Sequence, residues 1–388
     1  MFWIVKAGLY GAMAGAVTAI TLWAMKFLEH AVWAWGSGPL HIVLVVMTGG
    51  VLIAWLRHYF PKASLQALIL ESRHPVQLQR KWVLSVALTA IVAVAFGGAV
   101  GPEAGLIAVV LEISSLLVMR LSRDRAQQRA LSEVAVAASL SAFYGSPPAA
   151  ASQVQTDDRL PVPLLWWAAL MGLLGFGLTA QHLLGGGMHR LELPAHTPAA
   201  DGTDLLWSVL PALMGVLTGV LFAKLLPQCR ALLARVGGPV RQTLLGSAMF
   251  AGLAAVVPEL RFSGHHELAL LTNWLAQWGA AAVLALACLK VLALSICLAS
   301  GWLGGAIFPL LMAGACAGLA TTALLPVIPD VLALVAGMSG AATVGMGKPM
   351  VAALILVFVA GVHTLPAVCV GVLAGYVVLR RWPCPVEH

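Results

Sequence analysis

The stretch FGGAVGPEAGL, Phe96 to Leu106, interrupts an apolar run with four glycines, a proline and one carboxylate, Glu103. No charged residue occurs from Trp82 to Pro102 before it. A backbone break and an acid at the same point need a common reason, and the surroundings supply it.

Those surroundings are a membrane. Of 388 residues, 61% are hydrophobic and only 10% charged, with a mean hydropathy of +0.94. That is too apolar for a soluble globule. Uncharged runs recur at Ala7–Met25, Ala31–Leu56, Trp82–Pro102, Val134–Thr156, Leu160–His189, Leu205–Ala223, Leu268–Leu289, Val291–Pro329 and Pro349–Leu379. A spanning helix needs about 20 such residues, so the longer runs hold two passes or a pass plus a broken helix. About ten or more membrane segments are expected, several of them short.

The first run follows Lys6 without a cleavage site and reads as the first membrane helix, not as a removed signal. The net charge of +7 raises the question of nucleic acid, but the basic residues gather in short connections. They stand at Arg73, Arg80 and Lys81, at Arg120, Arg123, Arg125 and Arg129, at Lys224, Arg230, Arg235 and Arg241, and at Arg380 and Arg381. That is the pattern of cytoplasmic loops, so no nucleic-acid partner is expected. The six cysteines are scattered without a CxxC pair and read as packing residues. His265, His266 and Glu267 read as a polar turn; no metal and no cofactor is expected.

One long polar connection, Gly186 to Asp204, divides the chain into two similar halves, residues 1–185 and 205–388 of a single membrane domain. The breaks in the halves correspond. GPE begins at Gly101 and GGAIFP at Gly304; GSPPAAA follows at Gly145 and GKPMVAA at Gly347. Paired breaks at equal depth point to a transporter of two repeats with its site where the repeats meet.

A helix that starts inside the bilayer leaves its first N–H groups unpaired, which costs several kcal/mol per group unless something accepts them. A small anion is a natural acceptor, helped by the helix dipole. Around LGGAIFPLL, Gly304 and Gly305 make the turn, Ala306 and Ile307 offer amides, Phe308 follows, and Pro309 sits in the first helical turn. In GPE, Gly101 and Pro102 do the same for the helix that Glu103 opens. Glu103 can occupy the anion's own seat and vacate it on protonation, as gate, competitor and proton carrier. The alternative is a structural acid paired with Lys290 or Lys348. Lys348 also stands where it could raise the local potential for anions, or simply snorkel at a helix end.

At these residues the chain resembles the CLC family of chloride channels and anion/proton exchangers. The family's GREGP corresponds to GPEAG, Gly101 to Gly105, and its GxFxP to GAIFP, Gly305 to Pro309. AFYGSPPAAA, Ala142 to Ala151, is similar to its FNAPLAG; Gly337 to Val359 and the opening AMAGAVTAI also fit. It looks most like the short, divergent bacterial members. The resemblance implies an all-α fold of two inverted repeats with broken, re-entrant helices. It also implies a homodimer in a bacterial inner membrane and no enzymatic activity. Chloride or another small anion would be moved past Glu103, passively or coupled to protons. It places the inner proton acceptor at Asp157 and no nucleotide-binding tail after the last helix.

The chain also departs from the family. GSGIP has no match upstream of Glu103, where Phe60, Pro61 and Lys62 are the nearest candidates for the first-half ion contact. No tyrosine follows the last helix, and the family tyrosine's role is not transferred to Tyr376. These differences keep open a fluoride/proton antiporter of the same family. From a different class, GMSG at Gly337 to Gly340 has the form of a rhomboid-like intramembrane serine protease, with Ser339 and His363 as the pair.

Overall fold

The computed structural model describes residues 2–60, 80–121, 125–154, 161–183, 193, 196–199, 201–265 and 267–381. Its helices are α1 (Phe2–Trp33), α2 (Pro39–Tyr59), α3 (Arg80–Ala95), α4 (Glu103–Leu121), α5 (Arg125–Tyr144), α6 (Pro147–Val154), α7 (Val162–Leu183) and α8 (Thr203–Trp207). They continue as α9 (Val209–Ala234), α10 (Pro239–Val256), α11 (Leu271–Trp278), α12 (Ala280–Ser300), α13 (Ile307–Leu319), α14 (Asp330–Met346), α15 (Pro349–Ala360) and α16 (Leu365–Arg381). Six segments among the described residues are long and apolar enough to cross a membrane, the first at Ile4–Trp33 and the last at Val362–Arg381. Shorter apolar helices such as Ile307–Ala323 and Pro349–Ala360 complete the set. The protein is an integral, multi-pass, all-α membrane protein of two inverted repeats with broken helices.

The repeats show in the packing. Within the first half α1 packs on α7, α5 and α4; within the second α9 packs on α16, α14 and α13. α3 meets α4 and α2 as α12 meets α13 and α10, and α6 lies on α5 and α7 as α15 lies on α14 and α16. Two contacts join each element to its own counterpart, α2 with α10 and α6 with α15. Only an internal two-fold relation makes both kinds of contact at once.

The register is fixed by glycines where the backbone must turn left-handed. Gly97 (φ 83°) and Gly301 (φ 91°) each stand four residues before a second glycine, Gly101 and Gly305, and these two bridge to each other. Gly145 (φ 67°) and Gly347 (φ 64°) end α5 and α14, and Pro147 and Pro349 open the helices that follow. Four residues before each of these glycines stands a fully buried hydroxyl, Ser141 and Thr343, and neither has a hydrogen-bond partner among the described residues. Close backbone approach needs small residues in a membrane, where apolar side chains gain little by meeting each other. At the α13–α14 contact, a Cβ on Gly314 would strike the Gly337 backbone, and one on Gly337 the Gly314 backbone.

Candidate anion site

The two breaks meet. Gly101 N–H donates to the Gly305 carbonyl at 2.8 Å, and Gly305 N–H donates to the Gly101 carbonyl at 2.9 Å. This exchange puts the starts of α4 and α13 side by side, with Glu103 as the first residue of one and Ile307 as the first of the other.

In α4 the first carbonyl to accept a helical hydrogen bond is that of Pro102, from Leu106 N–H at 3.1 Å; in α13 it is that of Ala306, from Leu310 N–H at 3.1 Å. The amides of Glu103 to Gly105 and of Ala306 to Phe308 therefore come too early in their helices to find an acceptor there. Pro309 lies within this first turn of α13 and has no N–H to satisfy. Ile307 and Phe308 are buried, so these amides gather in a protected place with the positive ends of two helix dipoles.

Glu103 fills that place. It is 3% exposed, and neither carboxylate oxygen has a hydrogen-bond partner among the described residues. Its carboxylate lies against the glycine turns: a Cβ built on either Gly101 or Gly305 would run into it. Glycine at both positions is what lets the acid lie there.

The structural reading of Glu103 is corrected by where the lysines go. Lys290, fully buried in α12, donates from Nζ to the carbonyls of Glu259 and Leu260, both at 3.2 Å, and of Arg261 and Phe262, both at 3.0 Å. Backbone carbonyls satisfy its charge, so no acid partner is required. Lys348 caps the start of α15 and is exposed. In the connection between halves, His196 Nε2 and Asp204 Oδ2 share a 2.9 Å hydrogen bond.

The protease pair is corrected too. The Ser339 hydroxyl is fully buried and donates to the Val335 carbonyl, one turn back in α14, at 2.7 Å. His363 is exposed in a 3-10 turn, its ring against Gly361. A nucleophile needs a base within hydrogen-bond reach, and Ser339 has its own helix instead.

Of the other predicted residues, Phe60 caps the end of α2 through its N–H to Leu56, whereas Pro61, Lys62 and Asp157 lie outside the described residues. Several side chains at the site were missed. Phe143 meets Phe308 edge-on at 5.2 Å between ring centres and Tyr144 at 5.6 Å. His265 also meets Phe308, at 5.9 Å, and shares a 2.8 Å hydrogen bond with Ser263, so this histidine belongs beside the site rather than to a solvated turn. Ser146 ties the first turn of α6 to α15 by donating to the Leu354 carbonyl at 3.1 Å. Phe143, Tyr144 and Ser146 share one signal, position at the Gly145–Pro147 break, whereas His265 follows Gly264 with no proline beside it.

Paired half-helices whose starts converge on a buried carboxylate are the arrangement expected of a helical membrane transporter built from repeats. The chain matches the voltage gated chloride channel family over residues 49–380 and belongs to that family. It is 27% identical over 369 residues to "Putative ion-transport protein YfeO" of Shigella flexneri, covering 89% of this chain and 84% of that protein. Among solved structures it is similar to a CLC-type fluoride/proton antiporter, with TM-score 0.76, 19% identity and coverage of 98% of this chain and 95% of the other. It is also similar to a slow cyanobacterial Cl-/H+ antiporter, with TM-score 0.78, 18% identity and 99% of both chains covered.

Proposed function

We propose that the protein is a transporter, not an enzyme, and carries a small inorganic anion, chloride or fluoride, across the membrane past Glu103. The observation that carries this reading is the Glu103 carboxylate itself, buried against Gly101 and Gly305 at the starts of α4 and α13, its oxygens without hydrogen-bond partners among the described residues. A buried acceptor beside unpaired amides is a stand-in for a mobile anion. When Glu103 takes a proton its charge is gone, its claim on the amides weakens, and an anion takes the seat.

In this reading Gly101, Pro102, Gly304, Gly305 and Pro309 shape the seat, Ala306, Ile307 and Phe308 present it, and residues 1–185 and 205–388 are the two halves. Glu103 also carries the proton where transport is coupled, with Asp157 as its inner acceptor. The protein acts as a homodimer in the bacterial inner membrane, each subunit with its own pathway. Two solved relatives are described as a fluoride/proton and a Cl-/H+ antiporter, which favours coupling over passive flow.

The test is ion movement into and out of liposomes that hold the purified protein. An outward chloride gradient, and in a separate preparation a fluoride gradient, is imposed while anion efflux and proton uptake are recorded. Efflux of either anion with proton uptake is expected. Absence of flux for both anions would overturn the reading.

A further inference from the structure

The two halves fasten the ends of α3 and α12 in the same way, but with side chains of different charge. The last residue of α3 is Ala95 and that of α12 is Ser300, and a left-handed glycine stands close behind each, at Gly97 and Gly301. The Ala95 carbonyl accepts from Trp33 Nε1 at 3.0 Å; the Ser300 carbonyl accepts from Arg57 Nη1 at 2.7 Å. The same two side chains cover the glycines, since a Cβ on Gly97 would strike the Trp33 ring and one on Gly301 the Arg57 guanidinium. An uncharged indole meets the structural need in the first half. The charge of Arg57 therefore exceeds what holding the end of α12 requires.

No carboxylate cancels that charge. Arg57 Nη1 also donates to Thr243 Oγ1 at 2.8 Å, which uses both of its hydrogens. The hydrogens on Nε and Nη2 have no partner among the described residues, and neither nitrogen is sealed from the surface. Arg57 is half-buried where α2 meets α10 and α12, and none of these three helices contains an aspartate or a glutamate. Only the partial negative charge at the end of α12 offsets the cation.

Its position gives the charge a direction. Trp55 and Tyr59, both exposed on α2, mark this level as the membrane–water boundary. Thr243 lies near the start of α10, just after the basic stretch from Lys224 to Arg241, which by the positive-inside bias is the cytoplasmic end. The other end is mixed in sign: Arg261 lies 4.4 Å from the centre of the Trp33 ring, in a loop that also carries Glu259 and Glu267. From Gly301 to Gly305 the chain runs four residues, at most about 14 Å. A cation so placed is felt along the approach to the seat beside Glu103.

We propose that Arg57 recruits the transported anion at the cytoplasmic end of the pathway, raising its local concentration there through an uncompensated charge. Arg57 acts through its field and is not a ligand at the Glu103 seat. The inference rests on the proposed anion transport and adds a side from which the pathway loads more readily.

The test measures initial flux in liposomes against the concentration of chloride, and separately of fluoride, for the wild type, R57K, R57Q and R241E. An impermeant salt sets the ionic strength at about 0.1 M or about 1 M, between which the Debye length falls from about 10 Å to about 3 Å. At the lower ionic strength R57Q is expected to raise KM about two- to tenfold with little change in maximal rate, the range for one charge at about 10 Å. At the higher one it should approach the wild type. R57K keeps the charge but not the fork of hydrogen bonds, and should stay close to the wild type at both. R241E places an acid at an exposed position near the start of α10, leaves the Arg57 bonds intact, and should raise KM at the lower ionic strength alone. If Arg57 serves only to hold α12, R57K fails along with R57Q, the loss is equal at both ionic strengths, and R241E matches the wild type. That result would overturn the proposal, and R241E alone decides it should R57Q not fold. A wild type that moves neither anion means that the proposed function has failed, a result distinct from transport whose KM ignores these charges.

Discussion

Gly101 and Gly305 exchange two backbone hydrogen bonds, of 2.8 and 2.9 Å, and so fasten the two repeats to each other where their broken helices begin. The Glu103 carboxylate lies against both glycines. Backbone, turn and acid therefore form one device, in which a change at one member is felt by the others.

The first consequence concerns pH. Protonation neutralises Glu103, so anion flux should rise as pH falls through its titration. E103Q should carry anion at a rate independent of pH and without proton uptake. Flux recorded from mildly alkaline to mildly acidic pH checks this; a pH profile like that of the wild type in E103Q removes Glu103 from the mechanism.

The second concerns the glycines. A methyl at Gly305 would collide with the carboxylate. G305A should destabilise the protein by about 1–3 kcal/mol, the usual range for overpacking. Adding E103A removes the obstacle, so the double variant should recover at least half of that loss. Unfolding of the four proteins in detergent measures the coupling, and strict additivity would show that the acid does not press on Gly305.

Lys290 gives a third expectation. Its ammonium is the shared donor to four consecutive carbonyls, from Glu259 to Phe262. K290M leaves them buried without a donor and should cost at least about 3 kcal/mol, seen as a lower unfolding temperature in detergent. Unchanged stability would mean that water replaces the amine.

Ser339 gives the fourth. Its hydroxyl serves the Val335 carbonyl of its own helix, so S339A should leave anion flux intact and change stability by less than about 1 kcal/mol. Loss of flux in S339A would assign this serine a role that its contacts do not show.

The breaks and the acid were legible in the sequence because they leave marks there. A helix that stops in a bilayer needs glycine and proline, and an ionisable residue in an apolar run needs a reason to stay. The pairing of the breaks was legible from their repeated order, and the α2–α10 and α6–α15 contacts follow from it. The partners of Lys290 were not legible. Composition suggested an acid, but a turn of backbone can supply four acceptors, and no sequence pattern announces which carbonyls a distant loop will bring. Phe143 and His265 were hidden for a similar reason. Each stands near a glycine, but their meeting with Phe308 exists only once the helices have packed.

The most direct measurement concerns the seat itself. Crystals of E103A grown in bromide would show the anion by its anomalous scattering. The account predicts one bromide between the starts of α4 and α13, within hydrogen-bond distance of the Ala306 and Ile307 amides, where the wild-type carboxylate lies. The absence of any anion there, with bromide bound elsewhere along the pathway, would contradict the claim that Glu103 and the transported ion share one place.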